Sequence, residues 1–181
     1  MPYSVELALV ESDASAIDSL CDRLEEDRDI TTYRRLDSAP HISLAVYDNI
    51  DVNRCADALR AFARTLSPTS VHLGAMGAFC HDRNVLFVAP AVTSELLELH
   101  ERFHRTFEAF DGACWNYYRP GNWVPHVTLA IDLSAVQLGT AIQNLAPLWR
   151  GRNAALDRLR FISHPPFRVL CEFALGGETN K

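Results

Sequence analysis

Apolar residues along this chain switch repeatedly between a period of two and a period near 3.6, so strands and helices are expected to alternate. Residues 3–10 (YSVELALV) predict a strand. Ser12 or Asp13 then caps a helix that lines up Ile17, Leu20, Cys21 and Leu24 on one face. Residues 41–48 (HISLAVYD) return to strand, and Asp51 opens a second helix striped by Val52, Cys55, Leu59, Phe62 and Leu66. Val71, Leu73, Ala75 and Phe79 alternate as strand residues do. The run 85–89 (VLFVA) supplies their hairpin partner, with Asp82-Arg83-Asn84 as the turn. A third helix carries Val92, Leu96, Leu99, Phe103, Phe107 and Phe110 and leads through a loop to a strand at 126–131 (HVTLAI). Ser134 caps a fourth helix bearing Leu138, Ile142, Leu145 and Trp149, and strands around 159–162 and 169–175 close the chain.

The order of elements recurs halfway along. Tyr33-Arg34 precede His41 by eight and seven positions, as Tyr118-Arg119 precede His126. Both blocks, YRRLDSAPHISLAV and YRPGNWVPHVTLAI, end in Pro-His, an apolar residue, a hydroxyl residue, Leu-Ala and a β-branched residue. The offset of 85 residues is nearly kept by Val85 and Val169 and by Phe79 and Phe161. A long unit present twice predicts a duplicated lobe related by a pseudo-two-fold axis, not a solenoid.

Side chains alternate across a strand, so His41 and Ser43 share one face while Ile42, Leu44 and Val46 share the other. In the second strand His126 and Thr128 oppose Val127, Leu129 and Ile131. The apolar faces must pack on helices, and a two-fold would set the polar faces across a common cleft. His-x-Ser/Thr alone is a weak signal: the composition yields about one by chance. His104-Arg105-Thr106, inside the third predicted helix, is such a match. The long matched context sets His41 and His126 apart. Imidazole titrates near pH 6.5, so one ring can accept a proton while the other donates one. In-line displacement at phosphorus needs that pair on opposite sides of the phosphate, with hydroxyls such as Ser43 and Thr128 on its non-bridging oxygens. The scheme requires no metal.

Composition narrows the substrate. With 181 residues, 48% apolar and 22% charged, the chain is long enough to bury a core without disulfides or structural metal. A net charge of -6 argues against a grip on extended nucleic acid and leaves a small nucleotide or a strand terminus. The start lacks a basic region and an apolar core, and no apolar run is long enough to span a bilayer, so a soluble, cytoplasmic protein without membrane contact is expected. Five scattered cysteines, never in a Cys-x-x-Cys pair, read as core thiols of a reducing compartment. His100 and His104 have chelating spacing but no third ligand nearby, so no metal site is assigned; His81 and His164 read as turn residues.

The blocks PHISLAV and WVPHVTLAI, their separation and the duplicated element order resemble the two-histidine (2H) phosphoesterase superfamily, which includes bacterial 2′-5′ RNA ligase and cyclic phosphodiesterase proteins. The resemblance covers nearly the whole chain. It implies an α+β fold of two lobes with antiparallel sheets flanked by helices around a central cleft. The chain would be one domain over 1–181, with lobes of about 1–84 and 85–181 that can exchange strands. It also implies metal-independent, cofactor-free phosphodiester chemistry, foremost the opening of a 2′,3′-cyclic phosphate to a 2′-phosphate. His41 and His126 would be the acid–base pair, in either assignment, and Ser43 and Thr128 the phosphate-binding hydroxyls. Arg34 and Arg119 would meet a substrate phosphate or pair with a helix. Tyr33, Tyr117, Tyr118 and Trp123 would stack on a base or pack in the core, and the loop 114–124 would select substrate. The expected partner is a small nucleotide or RNA terminus, met by a monomer. The rival readings are a 2′-5′ RNA ligase or linear phosphodiesterase, and a non-catalytic nucleotide-binding module on the same fold.

Overall fold

The computed structural model describes residues 2–27 and 29–177. Its strands are β1 (Tyr3–Leu9), β2 (Thr31–Thr32), β3 (His41–Tyr47), β4 (Thr69–Phe79), β5 (Asn84–Pro90), β6 (Val127–Leu133), β7 (Arg152–Ser163) and β8 (Arg168–Ala174). Between them run α1 (Glu11–Leu24), α2 (Val52–Ala63), α3 (Ser94–Thr106) and α4 (Ala135–Leu145). The strands form one antiparallel sheet in the order β2-β6-β5-β4-β7-β1-β3, with β8 also on β7. The fold is therefore mixed α/β, an eight-stranded antiparallel sheet flanked by helices.

Strand β7 is the seam. Residues 152–156 pair with β4, while its outer half, from Arg158 to Ser163, pairs with β8 on one side and β1 on the other. Each half of the sheet consequently combines strands from both halves of the sequence: β3 and β1 with β7 and β8 on one side, β2 with β6, β5 and β4 on the other.

Local sequence starts most of the helices. Asp51 accepts from the Arg54 N–H at 3.0 Å, Thr93 accepts from the Leu96 N–H at 3.3 Å, and Ser134 with Gln137 makes a reciprocal capping box. The first helix departs from expectation. It begins two or three residues earlier behind Val10, and Asp13 reaches across instead to accept from the Ala155 N–H at 2.7 Å, tying α1 to the seam strand. The third apolar stripe outruns its helix. Phe107 caps a 3-10 turn over Glu108–Ala113 that contains Phe110, and their rings continue the packing begun by Phe103. Val92 stays outside the helix and is exposed. Cys21, Cys55 and Cys114 are buried as expected of core thiols, whereas Cys80 is exposed by the β4–β5 turn and Cys171 is half-buried.

The outer edges of β3 and β6 are closed crosswise. The stretch that leads toward His41 seals β6: Thr31 and Thr32 pair with Ile131 and Ala130, and the Tyr33 N–H donates to Leu129 O. The stretch that leads toward His126 seals β3: Cys114 bridges Tyr47, the Trp115 N–H donates to Val46 O, and the Trp123 indole N–H donates to Ser43 O. Helices follow the same crossing, since α1 packs on β6 while His100 and His104 of α3 reach Leu44 O on β3.

Candidate active site

In β3 the apolar residues Ile42 and Leu44 are fully buried against the helices, leaving half-buried His41 and Ser43 on the opposite face. Strand β6 repeats this, with Val127 and Leu129 buried and Thr128 half-buried on the other face. His126 immediately precedes the strand. Each histidine is anchored alike. His41 Nδ1 lies 2.7 Å from Ala39 O and His126 Nδ1 lies 2.7 Å from Val124 O, the carbonyl two residues back in both cases. A carbonyl only accepts, so each Nδ1 carries the proton and each Nε2 is the atom left for chemistry. The rings are close enough for the charge of His41 to act on His126.

Their surroundings differ. His41 Nε2 is 3.3 Å from Glu6 Oε1 on β1, a carboxylate that is 1% exposed. The same oxygen accepts from Ser4 Oγ at 2.7 Å, and the other accepts from Arg160 Nη2 at 3.1 Å. Arg160 Nη2 also reaches Ala39 O at 3.3 Å, so one guanidinium steadies both groups that hold the His41 ring. His126 instead meets the rings of Phe79 at 4.8 Å, edge-on, and Phe87 at 5.2 Å. Burial pushes the His126 imidazole below its ordinary value, the His41 charge adds to this, and the Val124 carbonyl opposes it. Gly77 makes the aromatic wall possible: a Cβ there would stand 2.8 Å from Phe87 Cε2.

Tyr118 lies beside the Ser43 hydroxyl and the Glu6 carboxylate, and burial, with that carboxylate, pushes its phenol up to about 12. Trp123 is buried; it stacks on His100 at 3.9 Å and donates to Ser43 O at 2.9 Å. Tyr33 is buried too, its hydroxyl donating to Asp18. Arg34 pairs with Asp22 and Glu25 along α1, and Arg119 donates to Asp111 O, so both arginines fasten the crossing segments. Tyr117 remains 78% exposed. His100 and His104 are buried. His100 Nε2 sits 2.9 Å from Tyr118 O and 3.2 Å from Leu44 O, and burial, with the charge of His104, brings its imidazole down to about 4. Among the described residues no group of three or more His, Cys, Asp or Glu side chains is placed to hold a metal.

Sequence reasoning missed Glu6 and Arg160. The available signal was a lone charge inside each of two otherwise apolar strand segments. His164 does lie in a turn, yet its imidazole senses both Glu6 and His41, and burial lowers it below the ordinary value. A hollow of about 360 Å³ is lined by Tyr33, Ala39, Pro40, Arg158 and Arg160 together with α1 residues, and by none of His41, Ser43, His126 and Thr128. A larger one, about 820 Å³, lies between α2 and β8 and includes none of these residues.

An antiparallel sheet with two similarly anchored histidines, one from each copy of an internal repeat, defines a two-histidine protein of the phosphoesterase type. The sequence matches the family model of the 2′-5′ RNA ligase superfamily over residues 13–165, and the chain belongs to that superfamily. It is 31% identical over 147 residues to a Bacillus mycoides (strain KBAB4) protein named "Putative phosphoesterase", covering 78% of this chain and 81% of that one. Among solved structures, TT0787 of Thermus thermophilus superposes with a TM-score of 0.66 at 18% identity, covering 98% of this chain and 100% of that one. E. coli LigT, solved in complex with 3′-AMP, gives 0.62 at 14% identity with 96% of both chains covered. These likenesses carry the fold. No helix among the described residues is long and apolar enough to cross a membrane.

Proposed function

We propose that the chain is a phosphodiesterase that needs no metal and opens a small nucleotide or RNA-terminal phosphodiester, foremost a 2′,3′-cyclic phosphate, to a 2′-phosphate. The observation that carries this reading is the matched anchoring of His41 and His126, each with Nδ1 fixed on a backbone carbonyl so that proton exchange falls to Nε2. One Nε2 takes a proton from the attacking water while the other gives a proton to the leaving ribose oxygen; Ser43 and Thr128 steady the non-bridging oxygens. Family membership supports the reaction class. The net charge of -6 disfavours long RNA. Complexes of E. coli LigT with 3′-AMP, NADP+ and ATP support a small nucleotide as ligand, and equally favour the second reading, nucleotide binding without turnover.

The test is hydrolysis of the four 2′,3′-cyclic nucleotides in excess EDTA by wild type and by the His41→Ala/His126→Ala double variant. Turnover by wild type alone, with a single histidine replacement costing about 10²–10⁴-fold, is the expected result. Loss of activity in EDTA, or full activity of the folded double variant, refutes the proposal. Binding without turnover transfers the weight to the second reading.

A further inference from the structure

The two histidines are related by the repeat but not by their neighbours. Strand β1 lies beside β3 much as β5 lies beside β6. Glu6 faces Ser43 across the first pair and Phe87 faces Thr128 across the second. Glu6 and Phe87 therefore hold equivalent places, a carboxylate beside His41 and a benzene ring beside His126.

The contacts count protons. Both ring nitrogens of His41 face pure acceptors: Nδ1 is 2.7 Å from Ala39 O, and Nε2 is 3.3 Å from a carboxylate oxygen. A carboxylate buried this close to the ring favours the charged imidazolium over the neutral form. His126 has an acceptor at Nδ1 only. Among the described residues its Nε2 has no hydrogen-bond partner, and the nearby rings of Phe79 and Phe87 disfavour a charge. That is a neutral imidazole with a lone pair ready at Nε2.

We propose that Glu6, held by Arg160, is a positioning residue that makes His41 the general acid and leaves His126 as the general base. The assignment rests on the phosphodiesterase reading above. Other groups act on His41 as well. Arg160 from β7 offsets the Glu6 charge, His164 follows the end of β7, Tyr118 adjoins Glu6, and the charges of His41 and His126 act on each other. With Glu6 and Arg160 cancelling, protonated His41 leaves the centre one positive charge, which complements a phosphodiester monoanion. In the reaction, water loses a proton to His126 Nε2 as its oxygen bonds to phosphorus. The bond from phosphorus to the leaving oxygen breaks, and that oxygen takes the His41 Nε2 proton. Solvent then carries the proton from His126 back to His41.

The test is an NMR titration of both imidazoles in the ligand-free full chain, for wild type, Glu6→Gln and Glu6→Asp, alongside the pH–rate profile on a 2′,3′-cyclic nucleotide. In wild type His41 should titrate at higher pH than His126. Glu6→Gln should narrow that gap by about 1 pH unit or more by moving His41 alone, and the basic limb of the rate profile should move down with it. Glu6→Asp, which keeps the charge, should restore at least half of the shift. The proposal is overturned if His126 titrates at or above His41 in wild type, a result that decides even if Glu6→Gln fails to fold. It is also overturned if Glu6→Gln leaves the gap unchanged or moves the acidic limb instead. Because the titration needs no substrate, a protein that titrates as expected yet cleaves no phosphodiester removes the acid and base roles together with the phosphodiesterase reading. The hold of Glu6 on the His41 proton would survive that outcome.

Discussion

Acid should loosen this fold through one buried ring. His100 is 2% exposed, stacked on Trp123, and held near pH 4 instead of its ordinary 6.5. Above pH 6.5 the ring is neutral in both folded and unfolded chains and contributes no pH dependence. Below it the unfolded chain takes up a proton that the folded chain refuses, so stability falls as pH drops from 6.5 toward 4. These values give a loss of about 2 kcal/mol at pH 5, approaching about 3 kcal/mol at lower pH. The assay is urea unfolding at pH 7.5 and pH 5 for wild type and His100→Gln, whose amide can still donate to Tyr118 O and Leu44 O but does not titrate. His126 and His164, also held below their ordinary values, act in the same direction in both proteins and cancel in the comparison. Wild type should lose about 2 kcal/mol more than the variant between the two pH values. Equal losses in the two proteins would refute the reasoning.

Other outcomes follow from the geometry around the two histidines. Gly77→Ala should cost about 1–3 kcal/mol by driving a methyl group into the Phe87 ring, whereas Gly139→Ala in α4, with open space around it, should stabilise by up to about 1 kcal/mol; two thermal melts of opposite sign check this. Phe87→Leu should admit water to His126 and bring its NMR midpoint up toward the ordinary value; a midpoint that stays or falls would show that the wall does not set it. Trp123→Phe keeps a ring on His100 but strips Ser43 O of its indole donor, and should lower unfolding stability by about 1–3 kcal/mol in urea titrations; an unchanged midpoint and slope would contradict that.

The strands that carry the histidines were legible because a period of two with one buried face leaves little freedom of register, and the long repeat located both at once. Strand β7 was harder to read. Only its outer half near 159–162 looks like a strand, while the inner half contains Asn153 and Asp157, so its start at Arg152 was hidden. Strand β2 is two residues long and exists because β6 offers it an edge, which no local pattern announces. The matched Tyr-Arg pairs drew attention as phosphate or base contacts. The partners of Tyr33, Arg34 and Arg119 on α1 and in the 3-10 turn, and the place of Tyr118 beside Ser43 and Glu6, are set by tertiary packing. The role of Glu6 was hidden for a similar reason: a lone carboxylate in an apolar strand acquires meaning only when Arg160, 154 residues later, arrives beside it.

Because the approach to each histidine seals the strand of the other, neither half of the sequence is a self-sufficient unit. Severed between β4 and β5, the first half would keep β3 but lose residues 113–123 from its edge, and the second would keep β6 but lose Thr31–Tyr33. Both fragments would present open backbone edges, the kind of surface that recruits a neighbouring chain. The two halves of the polypeptide in effect exchange arms, each closing the strand edge of the other. A single copy of the unit could complete itself only by exchanging arms with a twin.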